Sequence, residues 1–192
     1  MKQWIAALAL LITGGNAQAS GAQVYVSPVA LPFQHSRPRV FLGGSIDMGH
    51  APDWQKEVIA ALGQEEVDLL NPRRADWDPA WKPVASEPNF RQQVEWELGA
   101  LDSADIIIMN FSAGSQAPVS LLEMGLHARG GKLIVLCPEG YWRKGNVDIT
   151  AARYGVKQVA DLPELLAELR RRLAAYRPAI SAKAANLPAK AP

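Results

Sequence analysis

Short apolar runs of strand length alternate with helical patterns through the middle of this chain, and that alternation leaves few folds open. Arg39-Val40-Phe41-Leu42 reads as a strand that ends in Gly43-Gly44-Ser45. A helical pattern follows, with Asp53 as its cap, Trp54, Val58, Ile59 and Leu62 at helical spacing, and Gly63 as its stop. Residues 67–70 form a second strand-like run, broken by Asn71-Pro72, and a polar, aromatic loop covers 73–88. Residues 90–101 return to helical spacing through Val94, Leu98 and Leu101. Residues 105–110 and 132–137 are apolar strands on either side of a helix-like stretch from Val119 to Ala128. After a loop over 138–146 come a weak fifth strand near 156–159 and a last helix. Asp161 caps that helix, and Leu165, Leu166, Leu169 and Leu173 line it.

Strands that alternate with helices imply a parallel sheet covered on both faces. The expected architecture is α/β: a doubly wound, flavodoxin- or Rossmann-like parallel sheet of four to five strands with helices on both faces. Ligands of such sheets sit in the crevice at the carboxyl ends of the strands. Four loops converge there: 43–53, 71–88, 111–118 and 138–146.

The first 19 residues read as an export signal. Lys2 gives a positive start, residues 4–12 an apolar run, and Ala17-Gln18-Ala19 a small-x-small cleavage site. That run is far shorter than the ~20 residues that span a bilayer, so no stable membrane anchor is expected. Cleavage near Ala19 would release a periplasmic or secreted protein. The expected organisation is a signal peptide over 1–19, a leader segment over 20–38, one domain over 39–176 and a flexible tail over 177–192.

The chain has 192 residues, 48% of them hydrophobic and 20% charged, which describes a globular protein. A formal charge of +1 leaves no basic footprint for nucleic acid. The one cysteine, Cys137, has no partner for an internal disulfide and closes a strand, which suits a buried structural thiol. His35, His50 and His127 are isolated, so no metal spacing is present and no metal or other cofactor is expected.

Glu123 is the residue of greatest chemical interest. It lies among Leu121, Leu122, Met124 and Leu126, in a helix that starts just past a buried strand. An acid in such surroundings must be paired, protonated or at work, although many helical glutamates simply face water. Gly43 and Gly44 would let a ligand approach the backbone. They form neither a dinucleotide fingerprint nor a phosphate-binding P-loop.

Several pieces occur in a fixed order: 41–47 (FLGGSID), Asp53-Trp54-Gln55, Asn71-Pro72-Arg73-Arg74 with Asp76-Trp77, 93–98 (QVEWEL) and 118–125 (PVSLLEMG). Together they resemble the nucleoside 2-deoxyribosyltransferase-like family, from about Arg39 to Cys137. The resemblance implies a small-molecule nucleoside or nucleotide substrate and casts Glu123 as the nucleophile that attacks the anomeric carbon. A covalent glycosyl-enzyme would form, and water or another base would then take the sugar, as in retaining glycoside cleavage. The departing base needs a proton. The family places an acid eight residues before the aspartate that opens the third strand, and Glu97 stands eight residues before Asp105.

Other residues have softer candidate roles by their chemistry. Trp77 and Phe111 could stack on a base or pack in the core. Ser45, Asn110 and Ser120 could bond sugar hydroxyls or a 5′-phosphate, though Ser120 also suits a helix start. Arg73 and Arg74 would suit a phosphate, or pair with acids such as Asp76 and Asp78. Base-exchanging members carry an aspartate six residues before the nucleophile and a steadying tyrosine on the first strand. Here those positions hold Ala117 and Phe41, and Asp47 or Asp76 could substitute. A non-catalytic nucleoside-binding module, or an exported glycohydrolase acting on NAD or a nucleotide, are the alternative readings. The resemblance also allows a homo-oligomer.

Overall fold

A computed structural model describes residues 21–185; the expected signal peptide and the last seven residues of the chain lie outside that span. Six parallel strands make one sheet: β1 (Gln23–Val26), β2 (Arg39–Gly44), β3 (Asp68–Asn71), β4 (Ile106–Asn110), β5 (Leu133–Leu136) and β6 (Lys157–Val159). Their spatial order is β1-β3-β2-β4-β5-β6. The sheet thus has six strands, not the expected four or five. The additional one is β1, from the segment read as a leader, which pairs with β3 from Gln23↔Asp68 to Val26↔Asn71.

The five helices are α1 (Trp54–Ala61), α2 (Pro88–Ser103), α3 (Pro118–His127), α4 (Lys144–Tyr154) and α5 (Leu162–Ala185). Each central strand sends alternate side chains to opposite faces, because the side-chain period of a strand is two. Val40, Leu42, Ile106, Ile108, Ile134 and Leu136 meet α1 and α5 on one face. Phe41, Ile107, Met109, Leu133 and Val135 meet α2, α3 and α4 on the other. Both faces are therefore dry, which explains why β2, β4 and β5 read as continuous apolar runs.

Two helical details depart from the sequence pattern. Residues 144–154, read partly as loop, form α4, and α5 continues past Pro178 to Ala185. Both N-caps expected from the sequence are in place. Asp53 caps α1 by accepting from the Lys56 amide at 3.1 Å, and the Asp161 carboxylate accepts from the Glu164 amide at 2.8 Å at the start of α5.

From β2 the chain passes to β3 on one side, then crosses to β4 on the other. Loops leaving β2 and β4 diverge at that reversal, which opens a crevice at their carboxyl ends. Residues 43–50 and 111–118 border that crevice, the place where open α/β sheets bind ligands.

Candidate active site

The crevice is held open by a close backbone approach. Gly44 has φ +137°, and a Cβ on it would run into the Asn110 backbone. The Ser45 amide donates to the Asn110 carbonyl at 2.9 Å. The Ser120 hydroxyl, in the first turn of α3, donates to the Gly44 carbonyl at 2.9 Å. That bond fastens α3 to the end of β2. Glu123 lies three residues on, hence on the same helix face, and so is delivered to the cleft.

The cleft has a volume of about 960 Å³, at the upper end of small-molecule sites. Gly43, Gly44, Asp47, Trp77, Glu97, Ser120 and Glu123 all line it. Glu123 is 7% exposed, and no hydrogen bond to its carboxyl is found among the described residues. Burial, reinforced by the charge of Glu97, pushes its pKa up to about 8. Glu97 is also raised by burial, but the Gln93 side-chain amide donates to it at 2.9 Å and opposes the rise. Two carboxyls that feel one another and differ in hydrogen bonding divide the work: near neutral pH one proton is held, and Glu123 is the better seat for it.

Asp47 lies across the cleft mouth in a tight 3-10 turn, where it and Met48 adopt left-handed φ of 49° and 53°. The Ser115 hydroxyl donates to its carboxylate at 2.7 Å. Ala117, the residue before α3, is left-handed too, with φ 37°. Three non-glycine residues in this region all line one cleft. Each costs roughly 1–3 kcal/mol, and such strain gathers at ligand clamps.

Four of the residues expected to contact a substrate do not line the cleft. Phe111 continues the two-residue alternation of Ile107 and Met109, so it turns under the sheet and packs on Tyr141 at 4.7 Å between ring centres. Ser45 is fully buried, and its hydroxyl accepts from the Ser112 amide at 3.0 Å. Asn110 contributes its carbonyl to the Ser45 amide, a structural use. Asp76 is exposed and bound by both oxygens to Arg74, at 2.6 and 2.7 Å.

The arginines are likewise spoken for. Arg73 donates to the carbonyls of Gly49 and Ala51 at 2.9 and 2.8 Å and braces the loop after β2. Arg74, besides its pair with Asp76, lies over the Trp81 ring at 5.0 Å. Of the two substitutes considered for the carboxylate absent at Ala117, Asp47 is therefore the one in the cleft. Trp77 meets Trp81 edge-on at 5.2 Å while keeping a place in the lining.

Gln93 carried no expectation. It lines the cleft with Phe90 and Val94, and its spacing four residues before Glu97, on one helix face, was the available signal. Among the described residues, no group of histidine, cysteine or acidic side chains could hold a metal ion. Nor is any helix there long and apolar enough to cross a membrane.

Sheet order and cleft together define an open α/β protein of flavodoxin-like order, with a carboxyl pair over its switch point. The chain belongs to the nucleoside 2-deoxyribosyltransferase-like family, whose signature it matches over residues 37–141. In fold it is similar to a conserved protein from Enterococcus faecalis V583, with a TM-score of 0.53 and 12% identity, over 71% of this chain and 99% of that one. No curated protein matches the chain. Membership of the family suggests glycosyl transfer on, or binding of, a nucleoside-type small molecule.

Proposed function

We propose that the protein breaks the N-glycosidic bond of a nucleoside or nucleotide by double displacement, with Glu123 as nucleophile and Glu97 as the group that moves the proton. The observation that supports this most is the carboxyl pair itself: a buried acid and a half-buried one, of unequal hydrogen bonding, in one cleft at the switch point. When substrate binds, the shared proton passes from Glu123 to Glu97, and the freed Glu123 carboxylate attacks C1′. The C1′–N bond breaks, its electron pair stays on the base nitrogen, and Glu97 protonates that nitrogen. Water or a second base then attacks C1′ from the vacated side. Glu97 takes the proton back, and Glu123 leaves as carboxylate.

Residues 1–19 support action outside the cytoplasm, where free acceptor bases are scarce, so water is proposed as the usual acceptor. The test is to incubate mature protein with 2′-deoxynucleosides, ribonucleosides, their 5′-phosphates and NAD, and to measure released base by chromatography. Release that depends on Glu123 is the expected result; no release from any of these substrates retires the catalytic reading. Tight nucleoside binding without turnover would then leave a binding module.

Asp47 gives a second, smaller prediction. An ionised carboxylate only accepts hydrogen bonds, and Ser115 occupies one of its oxygens. Its other oxygen suits a sugar hydroxyl. Asp47→Asn keeps the shape and removes the charge, so KM should rise roughly tenfold with kcat less affected. Steady-state kinetics check this; a change in kcat alone would remove Asp47 from sugar binding.

A further inference from the structure

The carboxyl pair has a support that lies outside the family-matched residues. Ser27, just past the end of the edge strand β1, is buried, and its hydroxyl donates to Gln93 Oε1 at 2.6 Å. Gln93 Nε2 donates to the Pro72 carbonyl and to Glu97 Oε1, each at 2.9 Å. Only one orientation of the amide satisfies these partners. Turned over, Gln93 would set its own oxygen against a carbonyl and a carboxylate, and its nitrogen against the donor of Ser27. The same stretch grips α2 a second time, where Trp96 Nε1 donates to the Val29 carbonyl at 2.7 Å. Tyr25 and Leu31 pack into the core cluster on that face.

We propose that Ser27 and Gln93 are positioning residues of the carboxyl pair: the Ser27 hydroxyl locks the Gln93 amide so that its N–H holds Glu97 as the ionised member and leaves the shared proton on Glu123. The proposal rests on the function argued above for this cleft and adds to it the hydrogen-bond chain that seats the resting proton. A donor fixed on one carboxylate lowers the energy of every state in which that carboxylate is charged. Glu123 has no such donor among the described residues, so the two acids are made unequal before any substrate arrives. β1 and the turn after it, which precede residue 37, thereby become part of the active site.

Other charged groups line the same cleft. They are Glu123 on α3, Asp47 and His50 after β2, and Arg73 and Arg74 after β3. Both arginines are engaged elsewhere, Arg73 with carbonyls and Arg74 with Asp76. On α2 itself, Arg91 pairs with Glu95 on the exposed side. Gln93 is thus the direct donor to Glu97.

The test is a ligand-free carboxyl NMR titration of the full chain, wild type against Ser27→Ala, Ser27→Thr and Gln93→Leu. In wild type, Glu97 should ionise at lower pH than Glu123. Gln93→Leu should raise the sum of the two apparent pKa values by roughly one to two units and shift the resting proton toward Glu97. Ser27→Ala should move both in the same direction by less, and Ser27→Thr, which keeps the hydroxyl, should restore wild-type behaviour. Glu123 ionising first in wild type, or unmoved titrations in Ser27→Ala, overturn the proposal even if the variants melt earlier. If Gln93→Leu does not fold, the two Ser27 variants decide. Titration needs no substrate, so an absence of base release would count against the enzymatic reading alone. Base release with unmoved titrations would overturn this proposal alone.

Discussion

Glu123→Gln is expected to reduce base release at least about 10³-fold and, in the same protein, to increase the stability of the ligand-free fold at alkaline pH. Loss of activity follows from the chemistry: an amide cannot form the glycosyl ester, and the proton that Glu97 would pass to the base has lost its source. The stability gain follows from the direction of the pKa shift. Glu123 rises from an ordinary 4.5 to about 8 on folding, chiefly through burial. Between those values the folded state holds a proton that the unfolded chain has released, so stability from this group is full below pH 4.5 and is lost as pH climbs through 8. Glutamine is neutral throughout and escapes that loss. Thermal melts at the two ends of this window, beside an assay of released base, measure both effects. The expected pattern is equal melting temperatures in acid and a higher one for the variant in alkali. A variant that melts in parallel with wild type across the window would show that Glu123 is not a buried acid, and the catalytic assignment would lose its physical ground.

Burial decided which parts of this fold were legible in advance. β2, β4 and β5 are covered on both faces, so their apolar runs announce them. β1 is an edge strand whose first two residues are exposed, and QVYV among serines, glycines and prolines reads as a leader because a single neighbour, β3, orders it. α4 was missed for a related reason. Only Val147 and Ala151 of its eleven residues are buried, too thin a stripe to register as helical periodicity.

At the site, Glu123 stood out because a lone acid in an apolar helix is conspicuous. Glu97 is chemically ordinary in the sequence and became visible through the family resemblance. What stayed hidden was direction. Proximity to a strand end placed Ser45, Asn110 and Phe111 at the rim, yet the strand's alternation and the Gly44 pinch turn all three away from the cleft lining. Asp76 was removed from contention by Arg74, a partner two residues away whose grip depends on the loop's path. Gln93 required knowledge of three partners, Ser27, Pro72 and Glu97, of which two are more than twenty residues distant.

Gly44→Val should unfold the protein before it alters any rate, with a fall in melting temperature of about 10 °C or more. Two costs combine. With φ at +137°, a side chain strains the backbone, at roughly 1–3 kcal/mol. The new Cβ would also meet the O, N and C atoms of Asn110, backbone that cannot move unless the Gly44↔Asn110 register of β2 and β4 gives way. Overpacking of that kind adds roughly 1–3 kcal/mol more, against a total stability of about 5–15 kcal/mol. Separation of β2 from β4 would also release the Ser45–Asn110 bond and the Ser120 fastening that carries α3, and with it Glu123. Gly43→Ala is the matched control. Its Cβ would press on the Met109 sulfur and methyl and on the Phe41 ring, and the flexible thioether can yield. The control should lose far less stability. Equal melting temperatures for the two variants would mean that the pinch at Gly44 is not what joins the halves of the cleft, and α3 would then need another anchor to hold Glu123 in place.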